Sequence, residues 1–258
     1  MSRFDAIISD IDGCLGPETN APLDAHALAK IADHNRRVIG AGWRAGPELN
    51  RGAIFTVASG RPHGFAEAIC RLLGNDALPC ICENGVWLYD PRASAPSGHF
   101  LRDPAITSDH LRAVHEATLW IERDLGPRGV VIQPGKTASI SIWHPDTALQ
   151  MSLKPQIRDT FAKEGWPFRV SNTIAWINCD LAHVSKATGI QRLKDLCGLT
   201  TERLAGIGDA NSDIAIREHV AWFACPANAT DQLKKQADYV SPHAEVQGVL
   251  DVLAQLGK

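Results

Sequence analysis

Apolar residues along the chain follow two different rhythms. In the first, short runs are almost continuously apolar: Ala6-Ile7-Ile8, Ala53 to Ala58, Leu78 to Cys82, Leu204 to Ile207 and Val220 to Ala224. Between and after them lie stretches with apolar residues at helical spacing. Leu23, Ala27, Leu28 and Ile31 follow Pro22, a helix is predicted from about Gly64 to Leu73, and Val184, Ala187, Ile190 and Leu193 share one face. The closing helix offers Val246, Val249, Leu250 and Leu253. Unbroken apolar strands alternating with amphipathic helices predict an α/β domain whose parallel sheet is covered on both faces.

The second rhythm begins near Val86. From Thr137 to Trp143 the pattern alternates, with Ala138, Ile140 and Ile142 apolar and Thr137, Ser139 and Ser141 polar. Such alternation predicts an antiparallel strand with one face toward water. An amphipathic helix precedes it (Leu111, Val114, Thr118, Ile121, Leu125), with Thr107 or Ser108 as its cap. A helix from Asp146 to Lys163 follows, which Pro155 should break or kink, and then strands near Phe168–Ser171 and Ile174–Asn178. The expected organisation is a core of residues 1–85 and 183–258 with an α+β unit, 86–182, inserted into it. Gly40 to Pro47, rich in breakers, is expected to be a surface loop.

Composition narrows the possibilities. The 258 residues carry a formal charge of −3 with no basic stripe, which argues against nucleic acid and anionic membranes as partners. No run approaches a membrane span and the N-terminus has no signal-peptide pattern, so a cytoplasmic protein, monomer or homodimer, is expected. The seven cysteines (14, 70, 80, 82, 179, 197, 225) include no C-x-x-C pair and are expected to be buried, reduced thiols.

Chemistry gathers where the parallel strands end. The first strand runs into Asp10-Ile11-Asp12-Gly13, the second into Ser59-Gly60, a later one into Gly208-Asp209 with Asp213 close behind, and Lys186 opens a helix. Each alone has a bland explanation: a D-x-D-G string occurs in turns and calcium loops, and a lone lysine at a helix start is usually solvated. Together they place three carboxylates at one rim, a hard-oxygen site suited to Mg²⁺. A carboxylate can also act as nucleophile, and a hydroxyl, a glycine N–H and a lysine can hold phosphate oxygens.

In order and placement these motifs resemble the haloacid dehalogenase (HAD) superfamily of phosphohydrolases, over essentially the whole chain. Glu83-Asn84-Gly85, Val184-Ser185-Lys186 and Pro226-Ala227-Asn228-Ala229 resemble its type IIB, Cof-like branch. The resemblance implies a Rossmann-like core with an inserted α+β cap of the C2B type. It implies Asp10 as nucleophile, Asp12 as general acid and base, and Mg²⁺ bound by Asp10, Asp12 (through its backbone carbonyl) and Asp209, with Asp213 holding a metal-bound water or positioning Lys186. Ser59, Gly60, Arg61, Asn84 and Lys186 would face the phosphate or substrate. Three departures stand out: Cys14 replaces the usual Thr, Ser212 the usual Asn, and Leu181 and His183 a Pro and a Gly. His183 and Asn178, with Ser141, His144 and Asn172, are candidates for substrate selection, and Trp143, Trp166 or Trp176 for a sugar face.

The expected function is a Mg²⁺-dependent phosphatase acting on a small phosphorylated metabolite. A sugar phosphate or sugar-phosphoglycerate leads, since mannosyl-3-phosphoglycerate and sucrose phosphatases are similar in layout. The alternatives are a phosphotransferase of the phosphomannomutase kind and a metal-binding module without turnover. The D-x-D of a glycosyltransferase would not open the first strand.

Overall fold

The computed structural model describes residues 2–19, 21–44, 50–93, 99–173 and 175–257. In chain order the elements begin with β1 (Ala6–Ser9), α1 (Ala25–Gly40), β2 (Ile54–Val57), α2 (His63–Leu72), β3 (Cys80–Cys82), β4 (Trp87–Asp90) and β5 (His99–Arg102). Then come α3 (Ser108–Trp120), β6 (Val131–Ile132), β7 (Ser139–Trp143), α4 (Thr147–Glu164), β8 (Phe168–Asn172) and β9 (Ile177–Leu181). The chain closes with α5 (Lys186–Cys197), β10 (Leu204–Ile207), α6 (Ile214–Arg217), β11 (Trp222–Cys225), α7 (Asp231–Lys234), β12 (Tyr239–Val240) and α8 (Glu245–Leu256).

Five strands form a parallel sheet in the order β12-β11-β10-β1-β2. Successive residues of β1 serve opposite faces: Ile7 packs with Phe55, Val57 and Ile207, whereas Ile8 packs with Ile54, Ile190 and Phe223. Burial on both sides is why these runs contain no polar alternation. Strand order reverses between β1 and β10, and ligands in such sheets bind beyond the carboxyl ends at that point.

The third expected strand departs from the parallel pattern. β3 touches the parallel sheet through a bridge between Ala58 and Ile81 and through Thr56 Oγ1, which donates to Pro79 O at 2.8 Å. Its ladder is with β4 and then β5, both antiparallel. β4 packs Tyr89 and Leu88 into the two core clusters, so the boundary expected at residue 86 falls inside the edge of the core domain. β4, β5, β6 and β12 are short and carry too little hydrophobic pattern to be predicted from the sequence.

The inserted unit has its own core of Val114, Ala117, Ile121, Ala138, Ile140, Ile142, Leu153, Ile157 and Phe161 under the sheet β6-β7-β9-β8. α4 runs through Pro155 without a break. Pro155 is exposed while Leu153 and Ile157 are buried, so the carbonyl left without an N–H partner can be hydrated and packing holds the helix together. β9 begins at Ile177, later than expected; Ile174 lies outside the described residues, as do residues 45–47 of the expected surface loop. All seven cysteines are buried free thiols. Among the described residues no helix is long and apolar enough to cross a membrane.

Candidate active site

β1 and β10 run side by side, with Ser9 opposite Ile207, and the chain beyond each strand delivers carboxylates to a common rim. Oxygens of Asp10, Asp209 and Asp213 lie within 4.8 Å of one another, all three residues being buried. Tight turns make this approach possible. Gly13 has φ +74°, and a Cβ there would sit 2.0 Å from Asp209 Oδ2, so only glycine fits. The Asp213 carboxylate accepts the backbone N–H groups of Asp209 (3.0 Å) and Ala210 (3.1 Å), which fixes the loop that carries Asp209.

Lys186 is the first helical residue of α5, directly after the cap residue Ser185. Its Nζ lies 2.6 Å from Asp10 Oδ2 and 2.7 Å from Asp213 Oδ1. Asp10 Oδ1 in turn accepts the Ile11 N–H at 2.7 Å. Burial opposes the lysine's charge, but the two carboxylates more than offset it and raise its pKa. The surplus of negative charge appears in the acids. Burial, and then Asp213, push Asp10 well above the ordinary range, and Asp209 is pushed up to about 7 for the same reasons. Three buried carboxylates with one ammonium are short of positive charge. Hard oxygen donors converging in this way fit a divalent cation of the Mg²⁺ kind. Cys14 lies beside the cluster, its Sγ 3.9 Å from Asp209 Oδ1, and Ser212 is exposed to solvent.

The carboxylate of Asp12 does not join the cluster. Arg61 engages both of its oxygens, with Nε 2.8 Å from Oδ2 and 3.0 Å from Oδ1. The pair is about one-quarter exposed and flanks a cavity of about 220 Å³ that Ile11, Pro17, Leu23 and Phe65 also line. Arg61, expected to face substrate, is thus a partner of Asp12 here. Ser59 and Gly60 lie at the end of β2, next to β1; Ser59 Oγ accepts the Arg61 N–H at 3.1 Å.

The inserted unit meets this rim through Glu83-Asn84-Gly85. Gly85 has φ +103°, and a Cβ there would lie 2.3 Å from Ser185 O, so the two chain crossings between the units touch. Asn84 stands against Gly60 and donates to both carboxylate oxygens of Asp180 on β9, at 3.2 and 3.3 Å. Glu83 is fully buried with φ +50°. Its Oε1 accepts the N–H groups of Thr137, Ala138 and Ser139 at 2.8–2.9 Å and the Ser139 hydroxyl at 3.0 Å; its Oε2 accepts the Thr137 hydroxyl at 2.9 Å. No sequence argument assigned Glu83 this task. The available signal was an acid at the end of a buried strand, directly before Asn-Gly.

Of the residues expected to select substrate, Asn178 accepts the Ser141 hydroxyl at 2.5 Å and faces the seam between the units. Ser139 and Ser141 are buried, against the expectation of a wet face, because Glu83 covers the first and Lys136 with Asn178 the second. His183 is exposed, and its ring lies 4.4 Å from that of His110 on α3, tilted by 37°. His144 is tied to the backbone of Arg128 and Asp146, and Trp166 packs on Phe161 in the inserted unit's core.

Comparison with known proteins is consistent with this layout. A family model described as haloacid dehalogenase-like hydrolase matches residues 152–253. A phosphoglycolate phosphatase of Thermoplasma volcanium is 36% identical over 69 residues, 27% of this chain and 31% of that protein. Such matches therefore span about a third of the relatives' length. A phosphoglycolate phosphatase of Halorubrum lacusprofundi is 25% identical over 250 residues, 96% of this chain and 95% of that one. Among solved structures, a putative HAD/COF-like hydrolase from Plasmodium vivax superposes with a TM-score of 0.73 at 16% identity, covering 99% of this chain and 95% of the other.

Proposed function

We propose that the chain is a haloacid dehalogenase-like hydrolase, and within that family a phosphatase acting on small phosphate monoesters with Asp10 as nucleophile. The observation that carries this reading is the cluster at the carboxyl ends of β1 and β10. There a buried carboxylate, Asp10, is oriented by the Ile11 N–H and by Lys186, beside two further acids. An orientation fixed before substrate arrives removes entropy from the attack.

Asp10, Asp209 and Asp213 would hold Mg²⁺, which when bound supplies charge compensation for the approaching phosphate. The chain's own groups do the rest. Asp10 attacks phosphorus through a carboxylate oxygen, forming an aspartyl phosphate as the bond to the leaving oxygen breaks. Lys186 remains cationic between Asp10 and Asp213 and balances charge growing on the phosphoryl oxygens. Ser59 and the Gly60 N–H are suited to grip those oxygens. Asp12 protonates the leaving oxygen and then takes the proton of the water that cleaves the intermediate. Arg61 engages both oxygens of Asp12, so this role requires Asp12 to turn away from Arg61 when substrate enters.

The test is release of inorganic phosphate from a panel of phosphorylated metabolites with Mg²⁺, and again with excess chelator. Metal-dependent release by the wild-type chain, lost in Asp10→Asn, is the expected result. Transfer of phosphate to a second metabolite without release into water would instead favour the phosphotransferase alternative.

A further inference from the structure

The seam between the two units holds a lysine that the proposed chemistry does not use. Lys136 lies in the turn between β6 and β7, and that turn is docked on the core from both sides. Gly135 faces Pro62, to whose Cβ a Cβ on the glycine would lie 3.4 Å away, and the N–H groups of Thr137 to Ser139 are held by Glu83. The Lys136 Nζ donates to Ser141 Oγ at 2.5 Å, and the Ser141 hydroxyl in turn donates to Asn178 Oδ1 at 2.5 Å.

An ammonium has three donors, and only the bond to Ser141 is recorded for this one among the described residues. No carboxylate lies within ion-pair distance of it there. Asp180 and Glu83 are near enough to influence it, yet Asp180 is occupied by Asn84 and Glu83 by the β7 backbone. Burial lowers the lysine's pKa, and the Arg61 guanidinium close by lowers it further. A half-buried cation near a second cation, with donors to spare, is stabilised when an anion completes it.

We propose that Lys136, supported by Ser141 and Asn178, is the subsite for a carboxylate on the leaving group, so that the substrate is a short phosphate monoester of a hydroxy acid rather than a neutral sugar phosphate. The inference rests on the phosphatase reading above. A single ammonium on a hydroxyl–amide relay suits a planar monoanion, and the chain's similarity to phosphoglycolate phosphatases agrees with it.

The experiment compares 2-phosphoglycolate with ethyl phosphate, an ester of similar size without the carboxylate, in wild type, Lys136→Met and Lys136→Arg. Melting curves of each variant establish that it is folded. Wild type is expected to favour 2-phosphoglycolate. Lys136→Met should lower kcat/KM for it by roughly 10²-fold, chiefly through KM, and lower that for ethyl phosphate at least tenfold less; Lys136→Arg should recover part of the difference. Equal losses on both esters, no loss on either, or a preference for glucose 6-phosphate or a bisphosphate that survives Lys136→Met would overturn the subsite while leaving the phosphatase reading intact. If wild type hydrolyses no ester, that reading fails, and calorimetric titration of 2-phosphoglycolate decides the subsite. Weaker binding to Lys136→Met then supports it, and equal binding overturns it.

Discussion

Replacing Glu83 by alanine should be the most damaging single change outside the carboxylate cluster. The Glu83 side chain leaves the core domain in a left-handed turn and accepts three backbone N–H groups and two hydroxyls of the inserted unit. Alanine leaves those donors without partners, those of Ala138 and Ser139 in buried positions. Hydrogen bonds to a charged group are worth about 1.5–3 kcal/mol each, and donors stripped of a buried partner cost about 1–3 kcal/mol. Such terms do not add fully, because the freed segment can relax and hydrate, so a net loss of about 3–5 kcal/mol is expected. For a chain of this size that lowers Tm by roughly 6–20 °C. Glu83→Gln separates charge from shape. Its carbonyl oxygen can replace Oε1, its amide can donate to the Thr137 hydroxyl, and the loss should be about 1–2 kcal/mol. Urea unfolding followed by circular dichroism, with thermal melts in parallel, measures both variants. A change below about 0.5 kcal/mol in Glu83→Ala, or Gln and Ala variants of equal stability, would refute the argument that this carboxylate fastens the two units.

Other consequences are open to direct measurement. Asp12→Asn should slow phosphate release by about 10²–10⁴-fold without shifting the melt, as read by steady-state kinetics; an unchanged rate would return Asp12 to a structural role. Gly13→Ala, strained at φ +74° and driven into Asp209, should both destabilise the chain and abolish the Mg²⁺-induced rise in Tm. The Asp209 carboxyl, ordinarily near 3.8, is pushed up to about 7, so between those values the folded chain binds a proton the unfolded chain does not. That group therefore withdraws stability as pH rises from about 4 to 7, and cation binding must displace its proton. Mg²⁺ affinity, followed by thermal shift, should strengthen by up to about tenfold per pH unit across that window and level off above it; affinity independent of pH would contradict the assignment.

The parts legible in the sequence are those where one physical cause dominates. The strand Leu204–Ile207 was read with its bounds, because a run buried on both faces has no competing periodicity. The acids beyond it could be joined to Asp10 because ligands gather at the carboxyl ends of parallel strands. What escaped depends on contacts between distant segments. Ser139 and Ser141 read as solvent-facing by alternation, yet Glu83 and Lys136 cover them. Arg61 read as a substrate contact, and only the folded chain shows it gripping Asp12. The contact of the His183 ring with His110, 73 positions earlier in the chain, is likewise visible only in the folded chain. β12, two residues long, carries too little pattern to be seen without its partner β11.

Attack of the Asp10 carboxylate on phosphorus is the step on which the proposed chemistry depends. Its most direct test is phosphate release with Mg²⁺ by wild type and by Asp10→Asn, prepared side by side and matched by their melting curves. Metal-dependent release by wild type is expected, and none above background from the folded Asp10→Asn chain. Release by Asp10→Asn at a rate near that of wild type would contradict it.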